Sequence, residues 1–556
     1  MEKRTLLAFA LSFLVLIIWM TLFSPAPPPP PPPSEVGPGT AEGPSGAVQP
    51  APPETAPATP APQAAAPARM VLPSDVAEKE ITVETPLYRA VWSNVKGALK
   101  SFQLKDYHVE PDPASPLVDL AALEGTYGTM AFSFAREGAP EPAAAVYEAS
   151  ATSLSMGTGS EPKDLVLTGR TPEGLVLEHT YRFYPDRYKI EVETRVINRG
   201  EAPVGGSITA NLLNRPTESG SAYNFNGTAL LVDGDLEQIK PKDLKKEDKN
   251  LTGPIKWVGY ETDYFISAVV PAEVKDAAFL GKALPTGVID ARYIGPAVRL
   301  GPQELTTSRF QLYLGPRDLT YLKAFGNELD KAVNFGWTDV IARPLLYALR
   351  FFNDFVHNYG LSIIILTVLI KILFWPLTHK SYKSMKEMQK IQPLMAKIRD
   401  KYKGNREQMN REMMQLYKTY KVNPMGGCLP MVIQIPVFFA LFRILGSSIE
   451  LRHAPFFLWI NDLSAPDRLF HLPFSIPFME PPAGIPVLTL LMGASMFIQQ
   501  KMTPTPGDPT QAKVMMFLPI IFTFVFINFP SGLVLYWLTN NILSIGQQYR
   551  ILKQSA

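Results

Sequence analysis

The chain is short of cysteine, histidine and net charge, and each shortage closes a class of explanation. Its single cysteine, Cys428, excludes an intramolecular disulfide, so any domain outside the cytoplasm has to be held by its own core. Six histidines and one cysteine in 556 residues leave little for a metal centre or a thiol nucleophile. No Gly-rich loop opens a helix to cradle a phosphate, so no nucleotide cofactor is expected. A net charge of +2 gives no reason to expect nucleic acid binding of its own. No internal repeat with broken helices at matching positions is present, which argues against a secondary transporter.

Proline, by contrast, is abundant, with 54 residues, and 46% of the chain is hydrophobic. Both are unevenly spread, so the chain divides into segments. Residues 1–23 start with Glu2-Lys3-Arg4 and continue as the apolar run Thr5 to Phe23, longer than the core of a cleaved signal peptide. They are read as a transmembrane signal anchor with the N-terminus in the cytoplasm. Residues 24–77 form a Pro/Ala-rich linker. Its run Pro27 to Pro33 is stiff and extended, better suited to a spacer than to a proline-motif ligand.

From 78 to 335 the pattern becomes short strands. Tyr188, Ile190, Val192, Thr194 and Val196 alternate with Lys189, Glu191, Glu193 and Arg195, and Asn198-Arg199-Gly200 ends the run. Similar runs at Ile81–Glu84, Leu165–Leu167, Leu175–Phe183 and Phe310–Leu314 point to one all-β sandwich. With only His108 and His179 and no cysteine, it offers no catalytic constellation, and nothing marks the chain as an enzyme. Leu319 to Asn353 then reads as helix. Its second half, within 336–354, is amphipathic through Trp337, Ile341, Pro344, Leu345, Leu346, Leu349, Phe351 and Phe352, with Arg343 and Arg350. Two readings stand: a helix on the outer membrane surface, and a packing helix of the β domain.

Beyond it the apolar runs 361–378, 426–445, 485–500, 514–529 and 533–548 are read as spans, six with the anchor. Lys380 to Val422 carries 12 Lys or Arg against four acids, whereas Ser447 to Gly484 carries two Arg against four acids. The first loop (380–422) is therefore placed in the cytoplasm, and the second (447–484) and the β domain outside. The short loop 501–513 and the C-terminus fall inside by parity. The apolar runs of the last three spans are short, so either they thin the bilayer or flanking residues such as Gln499 and Gln547 complete each helix within protein. The cytoplasmic loop reads as a helical hairpin, Ser384–Tyr402 and Arg406–Tyr420 around Gly404-Asn405. Met385, Met388, Met395, Met409, Met413 and Met414 lie among its basic residues. They provide either adaptable contacts for apolar segments and lipid, or the hairpin's own seam.

Lys371 stands inside the run Leu361 to Leu377, where a charge costs roughly 2.5–3.5 kcal/mol on insertion scales. Either it snorkels to the near surface or it faces a wet cavity. Asn423-Pro424-Met425-Gly426-Gly427-Cys428-Leu429-Pro430, continuing through Gln434-Ile435-Pro436, with WPLTHKSYKSMKEMQKIQP after Lys371 and FPSGLVLYWLTNN at Phe529 to Asn541, closely resembles the YidC-type (Oxa-type) membrane protein insertases. WVGYETDYF in the outer domain and ELRHAPF resemble the Gram-negative branch. The resemblance implies a polytopic α-helical membrane protein of the bacterial inner membrane with a five-helix core. That core would enclose a hydrophilic groove open to the cytoplasm and to lipid but closed outside. A periplasmic β-supersandwich, related in shape to sugar-binding folds, would complete it. It implies that the groove is lined by Lys371, where Arg is commoner, and by Thr367, Gln434, Tyr536 and Trp537. Asn540 and Asn541 are further candidates whose facing the sequence leaves open. The implied partners are nascent membrane proteins, the Sec translocon, lipids, and ribosome or signal recognition particle machinery. The tail QQYRILKQSA lacks a long basic extension, so tethering of a ribosome by the tail is not expected. A membrane scaffold is the remaining alternative reading.

Overall fold

The computed structural model describes residues 78–123, 128–139, 145–216, 224–420, 422, 429–503 and 509–553. The signal anchor, the linker and Asn423–Cys428 lie outside the described residues.

Between Glu80 and Pro316 the described regular structure is β apart from one helical turn at Pro241–Leu244, and its strands form a five-stranded and a 14-stranded sheet. The alternating segment read from the sequence is the strand Lys189–Asn198, held antiparallel between Leu175–Phe183 and Leu305–Pro316. Its inward residues Ile190, Val192, Thr194 and Val196 are buried with Trp92, Tyr181 and Phe183. Asn198, expected only to end the strand, is also buried. Its Nδ2 donates to the carbonyls of Ala202, Leu300 and Gly301, which stitches the turn to the neighbouring loop. His179 belongs to this core rather than to any site: it bonds Tyr147 and Thr194, and burial pulls its pKa down to about 3.

One core acid has a consequence for stability. Glu261 is fully buried, 3.4 Å from Arg317, and accepts from Gln238 at 3.2 Å. Burial pushes its pKa up to about 7, against the pull of Arg317. An acid whose folded pKa is raised stabilises most when protonated. Its contribution is full below the ordinary carboxylate range and is lost as pH rises through about 7. Thermal unfolding followed from pH 5 to 8 should show the β domain losing stability with rising pH, and Glu261→Gln should flatten that slope. An equally steep slope in the variant would refute the assignment.

The helix expected over Leu319 to Asn353 is interrupted. α1 (Leu319–Phe325) ends at Gly326, φ 86°, and Asn327 and Glu328 follow with positive φ. Two short 3-10 turns then lead into α2 (Asp339–Val356). Left-handed backbone ends a helix whatever the apolar spacing beyond it. α2 buries Ala342, Leu346 and Leu349 and leaves Val340, Tyr347, Phe351 and Phe355 exposed.

The expected break between the span 361–378 and a hairpin helix starting at Ser384 is absent. α3 runs from Tyr359 to Lys401 and instead bends by 65° between Leu373 and Trp375. Pro376 accounts for the bend, since its ring meets the carbonyl four residues earlier and it donates no N–H. α4 (Arg406–Thr419) folds back on α3, followed by α5 (Leu429–Ser447), α6 (Val487–Met502), α7 (Pro509–Phe526) and α8 (Ser531–Lys553). Gly493 of α6 faces Thr523 of α7, a close approach that only a small residue permits. Among the described residues no single helix is long and apolar enough to cross a membrane alone. The two arms of α3 pass together, and Ile433–Ser447 and Met515–Phe526 are shorter apolar stretches. Flanking polar residues extend the apolar runs: Gln499 lies within α6, and Gln547 is buried within α8.

Candidate functional site

The candidate polar residues gather where α3, α5, α6 and α8 meet. Lys371 projects from α3 and is only 9% exposed, and its Nζ donates to Ser544 Oγ of α8 at 2.6 Å. Ser544 in turn donates to the carbonyl of Asn540 at 2.7 Å. No ion pair to Lys371 is present among the described residues. Thr367, one turn earlier, is buried with its hydroxyl donating to Ile363 O at 2.6 Å, so it bonds within its own helix.

Gln434 of α5 donates through Nε2 to the Tyr536 hydroxyl of α8, joining two residues that are 102 positions apart in sequence. Trp537 stacks edge-on against Phe438, 5.0 Å between centroids, and also packs on Phe522 and Phe526, so it fills an aromatic wall beside the polar residues. The two asparagines diverge. Asn540 is half-buried and its backbone carbonyl accepts from Ser544, whereas Asn541 is buried and its side chain donates to Ser495 Oγ of α6 at 2.9 Å. A helix turns about 100° per residue, so adjacent positions must face different neighbours.

Three contributors escape a reading based on motifs: Ser544, Gln547 and Gln548. Gln547 exchanges hydrogen bonds with Thr378 of α3 at 3.0–3.2 Å, and Gln548 donates to Met502 O of α6 at 2.7 Å. For Ser544 and Gln548 a signal was available. Tyr536, Asn540, Ser544 and Gln548 recur every four residues, the spacing of one helix face. Tyr536 and Ser544 are eight residues apart, so the Gln434 and Lys371 contacts lie about 12 Å apart along α8.

The methionines of the α3–α4 hairpin separate. Met388 and Met395 are buried in a small cluster with Ile391 and Val422, against which Met413 packs. Met385 and Met409 are half-buried, and Met414 is exposed. Among the described residues no group of three His, Cys, Asp or Glu is placed to hold a metal ion.

The helices are tied to the β domain by charge. Arg350 of α2 pairs with Glu450, just beyond α5, and with Asp318 at 3.3 Å, and donates to Thr320 Oγ1 at 3.0 Å. Arg452 donates to the carbonyls of His108 and Val109 and lies over the Tyr264 and Phe265 rings.

Comparison with known proteins places this architecture. Residues 351–556 match the family model of the 60Kd inner membrane protein, and residues 80–348 that of the YidC periplasmic domain. The membrane protein insertase YidC of Pelobacter propionicus is 43% identical over 100% of this chain and 99% of its own length. That of Syntrophus aciditrophicus is 43% identical over 100% of both. A crystal structure of an active YidC insertase with its first transmembrane domain resolved is 20% identical, covering 85% of this chain and 93% of its own, with a TM-score of 0.37. With both segments matched in order and identity of this level over the full length, the chain belongs to the YidC family of membrane protein insertases.

Proposed function

We propose that this inner-membrane insertase, whose substrates are nascent membrane proteins, works by presenting Lys371 and the polar side chains around it to the polar tail of an incoming segment. The observation that carries the reading is a buried cation whose hydrogen-bond partner is a neutral hydroxyl, Ser544. A charge removed from water without a counter-charge is costly, so its retention fits a transient anionic or strongly polar occupant. Gln434, Tyr536 and Asn540 extend the same polar lining, and the bent α3 carries it on toward Thr378 and Gln547.

In this reading Lys371 lies in the cytoplasmic half of a groove closed toward the periplasm, and the chain has six spans with both termini inside. An acidic tail enters the groove, where its desolvation is smaller than in hydrocarbon. The apolar segment behind it then moves into lipid, driven by roughly 25 cal/mol per Å² of apolar surface. Membrane potential adds roughly 2.3 kcal/mol per elementary charge per 100 mV for a negative tail moving outward. The basic hairpin α3–α4, with Met414 exposed, receives clients at the cytoplasmic face, alone or alongside the Sec translocon and ribosome or signal recognition particle machinery.

The test is reconstitution into liposomes with a short single-span client and photocrosslinkers at Lys371 and Gln434. Crosslinks to the client's polar tail at both positions, and insertion dependent on the protein, are expected. Insertion that proceeds equally well without the protein, or an inserting client that never crosslinks there, would overturn the reading.

A further inference from the structure

The loop between α5 and α6 is built inside out for a segment facing water. Its charged groups point into the fold. Asp467 is buried, accepting from Trp459 Nε1 at 2.6 Å and from the Leu488 backbone at the start of α6. Arg468 donates to the carbonyls of Ile527, Asp467 and Pro482 and to Asn528 Oδ1. Asp462 accepts from the His453 backbone and from Ser464. Ile449, Leu451, Ile460 and Leu463 are buried, but five large apolar side chains point out: Phe457, Leu458, Phe470, Phe474 and Phe478 are all more than half exposed, Leu458 and Phe478 almost fully, at 88% and 89%. Of the loop's Asp, Glu and Arg side chains only Glu480 is fully at the surface.

The backbone sharpens the point. Leu458, Phe470 and Phe478 stand at φ 59°, 56° and 67°, a left-handed conformation that residues with a β-carbon adopt reluctantly and bulky ones rarely. Here three exposed, apolar residues hold it, and no burial among the described residues compensates. All three side chains stand clear of the loop body, an arrangement whose backbone cost is offset only if something outside receives them.

The loop's place in the fold identifies what that is. Asn528, at the outer end of α7, donates to Phe478 O at 2.9 Å and accepts from the Glu480 backbone at 3.0 Å. This straps the Phe478 turn onto the end of a helix whose side is itself exposed and apolar through Phe517, Ile520 and Phe524. The apolar part of α7, Met515–Phe526, spans about 18 Å at 1.5 Å per residue, against about 30 Å of hydrocarbon.

We propose that the rings of this loop sit in the outer leaflet and extend the lipid-facing wall of α7 beyond the helix end. The occupant of the patch is the boundary between lipid head groups and acyl chains. This rests on the reading of α5 to α8 as membrane spans. It gives the core an aromatic anchor on the side away from Lys371, so that a bilayer thinned around short helices is gripped at its outer surface.

The test uses the full chain with Cys428→Ser, a single spin label at Phe478→Cys or Leu458→Cys, and liposomes of phosphatidylethanolamine and phosphatidylglycerol. Accessibility to oxygen and to a water-soluble nickel chelate is read against labels at Val274→Cys, exposed on the β domain, and Phe517→Cys on α7. The loop labels should be oxygen-accessible, with nickel accessibility about tenfold below that at Val274, as for a polar solute excluded from an apolar layer. Nickel accessibility equal to that at Val274, with Phe517 in lipid, overturns the inference alone. Water access at Phe517 as well overturns the span reading beneath it. Loop labels shielded from both quenchers would show burial against protein and also refute the proposal. If Phe478→Cys does not fold, Phe474→Cys, which has no left-handed backbone, carries the same test.

Discussion

Lys371→Ala is expected to lower the insertion of clients with acidic tails about tenfold while leaving clients with neutral tails little changed. The physical basis is a single charge contact in a partly wet, partly buried site. Two unit charges 4 Å apart interact by about 4 kcal/mol at an effective dielectric of 20, and a mobile tail retaining about a third of that gains a factor of ten. Lys371→Arg should retain most of the effect, because the charge persists, and Lys371→Met should lose it, because the length is kept without the charge. Ser544→Ala should have a small effect, since the neutral hydroxyl only holds the ammonium in place. The measurement is the protease-protected fraction of client in proteoliposomes. Equal losses for acidic and neutral tails would mean that Lys371 serves the packing of α3 against α8 rather than client charge.

Arg350→Ala should be the most damaging single change at the join between the β domain and the helices, costing about 3–5 kcal/mol, as expected when one partner of a buried pair is removed. Arg350 is 18% exposed at its side chain, Glu450 10% and Asp318 18%, so solvent replaces the lost guanidinium poorly. Burial already raises the Glu450 pKa, and Arg350 opposes that rise. Without Arg350 the carboxyl moves further up, and its folded pKa lies further above its unfolded one. The variant should therefore be most stable in acid and lose stability as pH rises. Adding Glu450→Gln should recover much of the loss, because an amide leaves no stranded charge. Thermal unfolding of the reconstituted protein across pH reads all three forms, and a double variant no better than Arg350→Ala would refute this account.

The two predictions draw on different levels of the molecule. Lys371 was conspicuous in the chain because a charge within an apolar run is anomalous wherever it falls. Arg350 was not: it stood in an amphipathic stretch that fits either a membrane surface or a packing face, and its partners Asp318 and Glu450 lie 32 residues before it and 100 after it. The β strands were legible because alternation is local, with Lys189–Asn198 matching its sequence pattern nearly residue for residue. The break in the helix after Phe325 was not, since the left-handed backbone at Asn327 and Glu328 has no signature in apolar spacing.

By itself the sequence determined the passage from a β domain to a helical region, the anomaly at Lys371, and, through its motifs, the family. Those depend on composition, periodicity and short-range spacing. Tertiary structure alone decided that Lys371 meets Ser544, 173 residues away, that Asn541 meets Ser495, and that α3 continues through its bend. It also decided that the loop between α5 and α6 turns Asp467 and Arg468 inward and leaves Phe457, Leu458, Phe470, Phe474 and Phe478 exposed. The reason is geometric. Which faces of two helices meet depends on their rotation and on crossings set by packing over the whole core, and a one-dimensional pattern states each face without stating its partner.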